Sequence, residues 1–466
     1  MLPDDVLLDI FDFYVIKDIY IYYNKKIEKW QTLVHVCRQW RRVVFGSPRR
    51  LNLRLVCTSK TPARNTLDVW PSLPLLIRRD SLLTEDVDDI IAVLERSDRV
   101  VEIDFSTDYG GDLEDVSVAM QVPFPELTDL QFSSQGGMES VLPDSFLGGS
   151  APRLQLVNLN RIPFPGLPKL LLSATHLVTL RLVNIPHSGY FSPEAIVAVL
   201  PTLTSLERLT LEFKSPRSRP DWAHRRLPPP TRSVLPVLTD FWFKGVCEYL
   251  EDLVTCIDAP RLDGLDITLF NQIVSDMPQF TRFISRSPTL EIFEKAFVTF
   301  ENGAARVSLS PQTSVHETLR MTIPCIELDW QVSSMEQVCT SCLPPLSMLK
   351  DLYIHERPSR PPVWQDNIDN TLWLELLRPF TGVKNLHLSN KFASLITPAL
   401  QELTGGSTTE VLPSLQNIFL EELQPSGTVQ ASIQQFAATR QVTGHPIAVS
   451  RWDNSKEDIE NNYYFY

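Results

Sequence analysis

The sequence predicts an α/β fold in which short parallel strands alternate with helices and stack in one direction. A hydrophobic phrase recurs along most of the chain, its last two positions alternate as in a strand with one buried face, and amphipathic helical segments lie between the copies. Hydrophobic residues make up 43% and charged residues 21%, as in folded globular proteins. Since proline fits poorly inside strands and helices, 36 prolines against 17 glycines predict many short elements with abrupt ends.

The recurring phrase is Leu-x-x-Leu-x-Leu, with conservative replacements. Its nine clear copies begin at Leu127, Leu154, Leu177, Leu206, Leu238, Leu262, Leu349, Val383 and Leu415. The interval of 87 residues from Leu262 to Leu349 equals three steps of 29, which predicts two degenerate copies near Leu290 and Leu319 and a distorted region around 290–345. Such a period is the signature of leucine-rich repeats, so we expect an irregular solenoid with parallel strands on its concave face.

Helices are expected between the strands. Ser192 is an N-cap residue followed by Pro193, which predicts a helix over Ala195–Leu200. Similar patterns predict helices over Leu83–Leu94, Tyr249–Ile257, Phe280–Ser285, Leu372–Leu377 and Leu395–Leu403. A helix over Val429–Arg440 and an apolar run over Pro446–Val449 are expected to form the C-terminal cap that solenoids need.

Two more helices are predicted at the N-terminus. Pro3 suits a first helical turn, and an apolar stripe then begins at Val6 and continues to Tyr14. A second amphipathic helix runs from Trp30 past Trp40 and is ended by Gly46-Ser47-Pro48. Two helices within about 50 residues rarely bury enough surface alone, so their apolar faces pack either on the rest of the chain or on a partner. The pattern leaves both possibilities open.

The segments LPDDVLLDIF and LVHVCRQWRRVV resemble the F-box, although the 25 positions from Phe11 to Val36 exceed the family's usual spacing. The resemblance implies docking onto a Skp-type adaptor and, through it, a cullin scaffold. The protein would then be the substrate-recognition subunit of a cullin-based (SCF-type) E3 ubiquitin ligase. The residues that would face the adaptor are Leu2, Pro3, Val6, Leu7, Ile10, Phe11, Val36, Cys37 and Trp40.

The predicted organisation has four parts. Residues 1–50 form the F-box helices, 51–98 a connecting and capping region, 99–423 the leucine-rich-repeat-like solenoid, and 424–466 a C-terminal cap and tail. The position between the last two apolar residues of each phrase should face the concave side, where solenoids bind proteins. From these positions we select Arg181, Trp242, Asp266, Tyr353, His387 and Phe419 as candidate substrate-binding residues.

The segment Lys214–Arg232 is a second candidate surface, with six basic residues, one acid and five prolines. It is expected to be either a solvated loop or a binding site for an acidic or phosphorylated target. The binding site would use Arg217, Arg219, Arg225 and Arg226.

Charge, the lack of targeting signals and cysteine spacing argue against several other classes of protein. Residues 1–80 carry 14 basic and 8 acidic side chains, whereas the remaining 386 residues carry 29 and 48, so most of the chain is too acidic for nucleic-acid binding. The sequence shows no secretory signal and no membrane-length apolar run, which predicts a cytoplasmic or nuclear protein. Seven irregularly spaced cysteines do not indicate a disulfide framework.

Nothing in the sequence indicates an enzyme, a cofactor or a metal site. Cys339-x-x-Cys342 has no second pair at a zinc-site spacing, and phosphate-loop and nucleophile-elbow motifs are absent. The alternative to the ligase subunit is a non-enzymatic leucine-rich-repeat scaffold whose N-terminal helices only cap the solenoid. In the first case Leu7, Ile10 and Trp40 should be exposed, and in the second they should be buried against residues 51–130.

Overall fold

The chain divides into two compact units, residues 1–191 and 192–466. The computed structural model describes residues 2–16, 29–58, 67, 70–82, 87–107, 110–135, 141–216, 232–270, 276–290, 293–311, 317–365, 368–402, 411–421, 428–442 and 444–452. Both units contain mainly parallel strands with helices between them, which confirms the mixed α/β class. The segment boundaries predicted from the sequence stay a prediction.

Unit 1 begins with three helices, α1 (Asp4–Ile16), α2 (Lys29–Val36) and α3 (Arg38–Gly46). The second helix was predicted to be continuous, but it breaks at Cys37, whose backbone is extended and whose sulfur accepts a hydrogen bond from the Trp40 backbone N–H at 3.5 Å. A cap at this position satisfies an N–H that would otherwise have no partner at the helix start. Helix α3 ends at Gly46, where the sequence predicted the stop.

Six parallel strands follow in chain order: β1 (Leu55–Cys57), β2 (Leu75–Leu82), β3 (Val100–Thr107), β4 (Asp129–Ser134), β5 (Leu156–Asn160) and β6 (Thr179–Ile185). Leu130, Val157 and Leu180, each the second apolar residue of a phrase, align in register and are buried. The phrase therefore fixes both the strand and its register, because a one-residue slip would expose every one of these side chains. Between the strands lie α4 (Val87–Leu94), α5 (Gly110–Ala119) and α6 (Leu167–Leu171), with short 3₁₀ turns at Phe146–Gly149 and His187–Gly189.

Unit 2 contains twelve strands within its described residues: β7 (Arg208–Phe213), β8 (Ser233–Val234), β9 (Asp240–Gly245), β10 (Ile257–Asp258), β11 (Gly264–Leu269), β12 (Lys295–Glu301), β13 (Ala304–Ser310), β14 (Leu319–Ile323), β15 (Asp351–Glu356), β16 (Asn385–Leu388), β17 (Asn417–Leu420) and β18 (Ala448–Arg451). Strands β8 and β10 form a separate two-stranded sheet. The other ten pair in the order β7-β9-β11-β14-β13-β12-β15-β16-β17-β18.

The two degenerate copies expected near Leu290 and Leu319 are not successive parallel repeats. Leu290 ends a 3₁₀ turn, and the chain then runs out along β12, back along antiparallel β13, and out again along β14, which starts at Leu319. Asn302 and Gly303, with a φ of 91° at the glycine, connect β12 to β13. A two-residue Asn-Gly loop between apolar runs is a hairpin signal, so this sequence feature could have revealed the reversal.

Seven helices lie within the described part of unit 2: α7 (Pro193–Val197), α8 (Cys247–Thr255), α9 (Pro278–Ser285), α10 (Leu328–Ser341), α11 (Asn370–Leu377), α12 (Asn390–Glu402) and α13 (Thr428–Val442). Short 3₁₀ turns occur at Leu200–Thr202, Pro288–Leu290 and Leu346–Met348. The Ser192 hydroxyl caps α7 by accepting from the Ala195 N–H at 3.3 Å, as the sequence predicted. The sequence predicted neither α10 nor the first turn of α12.

The helices cover one face of the strands in each unit. In unit 2, α10 packs on β12, β13 and β14, and α12 packs on β15 and β16. Side chains such as Leu352, Leu386 and Ile418 point to this buried face, so the alternate residues of each strand lie on the opposite face. We call that opposite side the open face. No helix in the described part of the chain is both long and apolar enough to cross a membrane.

Candidate functional site

Six large apolar side chains of the described N-terminal segment are exposed: Leu2, Val6, Ile10, Phe13, Tyr14 and Val36. Leu2, Val6 and Ile10 are 52%, 38% and 47% exposed; Val6 and Ile10 lie one turn apart on one side of α1, and Leu2 lies two residues before that helix begins. Val36, at the end of α2, is 59% exposed. Gln39 of α3 donates from Nε2 to Asp4 Oδ1 at 3.1 Å, which holds the first turns of α1 and α3 together. We call Leu2, Val6, Ile10 and Val36 the docking face.

Other predicted adaptor residues have different positions. Leu7 and Phe11 are buried, because they lie on the side of α1 that packs on α2 and α3. The rings of Phe11 and Trp40 meet edge to face, with centroids 4.8 Å apart, and Trp40 is half-buried. Pro3 and Cys37 are exposed. The sequence pattern thus identified the helical regions but not the break at Cys37, and it placed the buried residues Leu7 and Phe11 among those that would face a partner.

The inner sides of α2 and α3 are joined to the rest of unit 1 by an aromatic cluster. Trp30 and Phe45 both pack against Trp70, with centroids 5.2 and 6.3 Å away, and His35 lies 5.9 Å from the same indole. The Trp30 indole N–H also donates to the Arg54 carbonyl oxygen at 3.1 Å. Helices α2 and α3 therefore belong to the core of unit 1, while the docking face lies on the outer side.

Ion pairs flank the docking face. Arg42 pairs with Asp4 at 3.0 Å, and Arg50 pairs with Asp9. Both pairs join α1 to residues at or after α3, and all four side chains are well exposed. Exposed pairs add little stability, so their main effect is to orient α1.

The open face of unit 2 carries an aromatic row on adjacent strands. Phe297, Tyr353, His387 and Phe419 stack nearly parallel, with successive centroids 4.6, 4.1 and 4.5 Å apart. They occupy one register position across β12, β15, β16 and β17. We call these four side chains the aromatic row; the sequence identified three of them, and the hairpin concealed Phe297.

Trp452, just after β18, covers the middle of the aromatic row. Its ring lies 5.7 Å from Tyr353 and 5.4 Å from His387, and its backbone N–H donates to the Leu420 carbonyl oxygen at 2.7 Å. Tyr353 and His387 are consequently 4% and 8% exposed, although the sequence predicted exposed binding residues. Phe419, at the end of the row, is half-buried. No repeated phrase includes Trp452, so the pattern gave no signal for it.

His387 is held in an environment that disfavours its charged form. Burial, with a smaller contribution from Lys295, lowers the pKa of the imidazole to about 4. Its Nδ1 is buried and has no hydrogen-bond partner. The ring therefore behaves as a neutral member of the stack at physiological pH.

Trp242 and Asp266 lie at neighbouring positions of the same open face. Trp242 is half-buried, and Asp266 accepts a hydrogen bond from Arg320 at 3.0 Å. Burial raises the pKa of Asp266, while Arg320 acts in the opposite direction. Glu317 also pairs with Arg320, so Asp266 is part of a compensated ionic cluster and is not a free acid.

Arg181 lies in unit 1 and is treated separately from the unit 2 residues. It is exposed and stands in register with Asn158 and Gln131 on β5 and β4. Asn158 donates to Gln131 Oε1 at 3.4 Å. This polar stretch can form hydrogen bonds with a partner but has no aromatic anchor.

The cysteine pair of the Cys339-x-x-Cys342 motif is buried. Burial raises the pKa of both Cys339 and Cys342, which disfavours the thiolate needed for metal binding or redox chemistry. Among the described residues, no group of three or more His, Cys, Asp and Glu side chains is placed to hold a metal ion. Arg217, Arg219, Arg225 and Arg226 of the basic segment lie outside the described residues.

Comparisons with known proteins add little. No protein-family model matches the chain. No curated protein matches it either. Among solved structures, the chain is similar to the leucine-rich repeat-containing protein LegL7 from Legionella pneumophila, with 10% identity over 83% of this chain and 98% of that chain and a TM-score of 0.27. The parallel strand register described above, rather than this similarity, supports a leucine-rich-repeat-like arrangement.

Proposed function

We propose that the protein is the substrate-recognition subunit of a cullin-based ubiquitin ligase. Its N-terminal helices would hold a Skp-type adaptor, and its repeats would hold a target protein. The observation that supports this most strongly is the docking face, which exposes Leu2, Val6, Ile10 and Val36 on helices whose other sides are already packed.

The docking face has the properties of a helix-mediated interface. Folded helices normally turn their large apolar side chains inward, and a contiguous exposed group of them marks an interaction site. Val6 and Ile10 are one turn apart on α1, with Leu2 just before the helix, and helix residues at this spacing can enter one groove of a partner. The F-box resemblance covers these same residues.

The mechanism would be proximity. A subunit that holds the adaptor at one surface and the target at another raises the effective concentration of the target near the ubiquitin-charged enzyme. No catalytic side chain is required of this chain.

The test is size-exclusion chromatography of the full chain with a purified Skp-type adaptor. We expect co-elution of the wild type and loss of co-elution for the double variant Ile10→Asp/Val36→Asp, because a buried, unpaired carboxylate in an interface costs several kcal/mol. The matched control is Val118→Asp, which changes a 61% exposed valine of α5 and should leave co-elution intact. Failure of the wild type to bind, with an adaptor that binds another F-box protein, would refute the proposal.

The aromatic cluster around Trp70 favours a second function for the same helices, which is to cap the repeats. If capping were their only role, neither the wild type nor Ile10→Asp/Val36→Asp would bind an adaptor. Trp30→Ala would then be the variant that loses thermal stability. We expect both roles, so Trp30→Ala should lower thermal stability, while the docking-face variant should melt within a few degrees of the wild type. A large loss of stability in the docking-face variant would favour capping alone.

A further inference from the structure

A second, polar row runs beside the aromatic row on the open face of unit 2. Asn385 Nδ2 donates to Asp351 Oδ1 at 2.6 Å, and Asn417 Nδ2 donates to Asn385 Oδ1 at 2.7 Å. The three residues are in register on β15, β16 and β17, each two residues before a member of the aromatic row. We call them the amide row.

The amide row has a direction. Asn385 and Asn417 each donate a side-chain N–H to the residue on the preceding strand. The carbonyl oxygen of Asn417, the last residue of the row, therefore remains as an acceptor on the side away from β16. Among the described residues nothing donates to it. The aromatic row ends in the same place, because Phe419 stacks on His387 with one face and no described ring lies against its other face.

The next strand, β18, breaks both patterns. Its residues in register with Asn417 and Phe419 are Ala448 and Ser450, the first exposed and the second half-buried. Side chains this short cannot extend either row. They leave a notch that has the Phe419 ring and the Asn417 carboxamide as one wall and Ala448 and Ser450 as its floor.

The outer edge of β18 is also open within the described part of the chain. Ala448 and Trp452 donate their backbone N–H groups toward β17, to Gln416 and Leu420. Since successive backbone groups of a strand alternate in direction, the N–H groups of Val449 and Arg451 point away from β17. A strand edge of this kind is a template for an added strand.

We propose that the notch and the edge of β18 together bind an extended segment of a target protein that carries an aromatic residue. The segment would pair with the outer edge of β18 and lay its aromatic ring over Ser450, flat against Phe419. Two residues earlier, a long donor side chain such as arginine would extend across Ala448 toward Asn417 Oδ1, because a segment paired with β18 lies about 10 Å from β17 and a shorter side chain would not reach. The partner would thus carry a donor and an aromatic residue at the positions in register with Asn417 and Phe419. The proposal rests on the proposed function only in assuming that the bound segment belongs to the target of the ligase. Its test needs no adaptor.

The open edge of β18 and the exposed face of the Phe419 ring together favour an extended peptide over a small aromatic compound. An added strand gains backbone hydrogen bonds from Val449 and Arg451, which a free aromatic compound cannot make, and side-chain recognition then comes from alternate residues. Stacked rings at this spacing add affinity beyond the area they bury.

The experiment is selection from a displayed library of random dodecapeptides against the immobilised full-length protein, followed by affinity measurement of the enriched peptides. We expect enrichment of sequences with Tyr, Trp or Phe at one fixed position. Phe419→Leu should weaken these peptides roughly fivefold by loss of the stacking face. Ser450→Phe should weaken them more than tenfold, because its own ring fills the notch.

Two further variants separate the features. Val449→Pro removes one outward N–H from the edge and should weaken binding roughly fivefold. The matched control is Val442→Ser, which alters an 88% exposed valine of α13 and should have no effect. Circular dichroism and a thermal melt confirm that each variant is folded.

The outcomes distinguish this proposal from the proposed function. Absence of enrichment, enrichment without an aromatic position, or peptides that bind Ser450→Phe as tightly as the wild type would each overturn the proposal. The Phe419→Leu and Ser450→Phe results hold even if Val449→Pro fails to fold. Adaptor co-elution is unaffected by any of these outcomes, since it is measured on the N-terminal helices.

Discussion

His387 predicts that unit 2 loses stability in mild acid. The folded protein holds its imidazole neutral, with a pKa of about 4, whereas an unfolded chain has the ordinary value near 6.5. Above pH 6.5 both states are neutral and the contribution to stability is fully present. As the pH falls from 6.5 toward 4, only the unfolded state takes up a proton, so folding becomes progressively less favourable.

The magnitude follows from the difference between the two pKa values. Each unit corresponds to about 1.4 kcal/mol, so the free energy of unfolding should fall by about 3 kcal/mol between pH 7 and pH 4 from this one residue. Its buried Nδ1 has no acceptor for the added proton, and Lys295 adds repulsion.

The assay is urea unfolding followed at several pH values for the wild type and for His387→Phe. Phenylalanine keeps a flat ring between Tyr353 and Phe419 and removes the titration. The variant should therefore show a smaller loss of unfolding free energy in acid, by about 3 kcal/mol. The control is His355→Gln, which changes a half-buried histidine of the same face and should keep the acid sensitivity of the wild type.

Direct titration of the histidine ring protons by NMR gives the independent check. A resonance that stays neutral down to about pH 5, and that disappears in His387→Phe, is the expected result. Equal acid sensitivity of the wild type and His387→Phe would refute the reasoning, as would a His387 resonance that titrates near 6.5.

Three other substitutions or reactions test the packing. Phe11→Ala should lower the free energy of unfolding by about 3–5 kcal/mol because its ring is fully buried, whereas Ile10→Ala on the exposed side should change it by less than about 0.5 kcal/mol in urea titrations. Gly382→Ala should cost about 1–3 kcal/mol in the same assay, since a Cβ there would come within 1.9 Å of the Ser347 carbonyl oxygen. Cys37 should react with a thiol-specific disulfide reagent in the folded protein, whereas Cys339 should react only after unfolding, because burial raises its pKa.

The repeated phrase predicted much of the fold because its information is local. A buried face with a period of two residues defines a strand, and in a parallel array the same position of each phrase meets the same position of the next. Leu130, Val157 and Leu180 show this register directly. The Ser192 cap was equally predictable, since it depends on four consecutive residues.

The differences arise where the structure depends on residues distant in sequence. Strand direction is not encoded in hydrophobic alternation, so β13 has the pattern of a parallel strand and yet runs antiparallel. The burial of Tyr353 and His387 comes from Trp452, about 65 to 100 residues later, which belongs to no repeat. Leu7 and Phe11 share an apolar stripe with Ile10, and only the placement of α2 and α3 decides which side is buried.

The reversal at β12, β13 and β14 has a consequence for how unit 2 assembles. In a uniform array, order can spread from any repeat to the next one along the chain. Here β11 is bordered by β14, the last strand of the three, and β15 is bordered by β12, the first. Folding that spreads from β11 along the sheet must therefore reach β14 first, which requires residues up to 323 and a closed β12–β13 hairpin. Once β12 is in place, β15 can pair with it. We expect the hairpin to act as the point at which partial unfolding stops, so that amide hydrogen exchange divides unit 2 into two cooperative blocks on either side of residues 295–323.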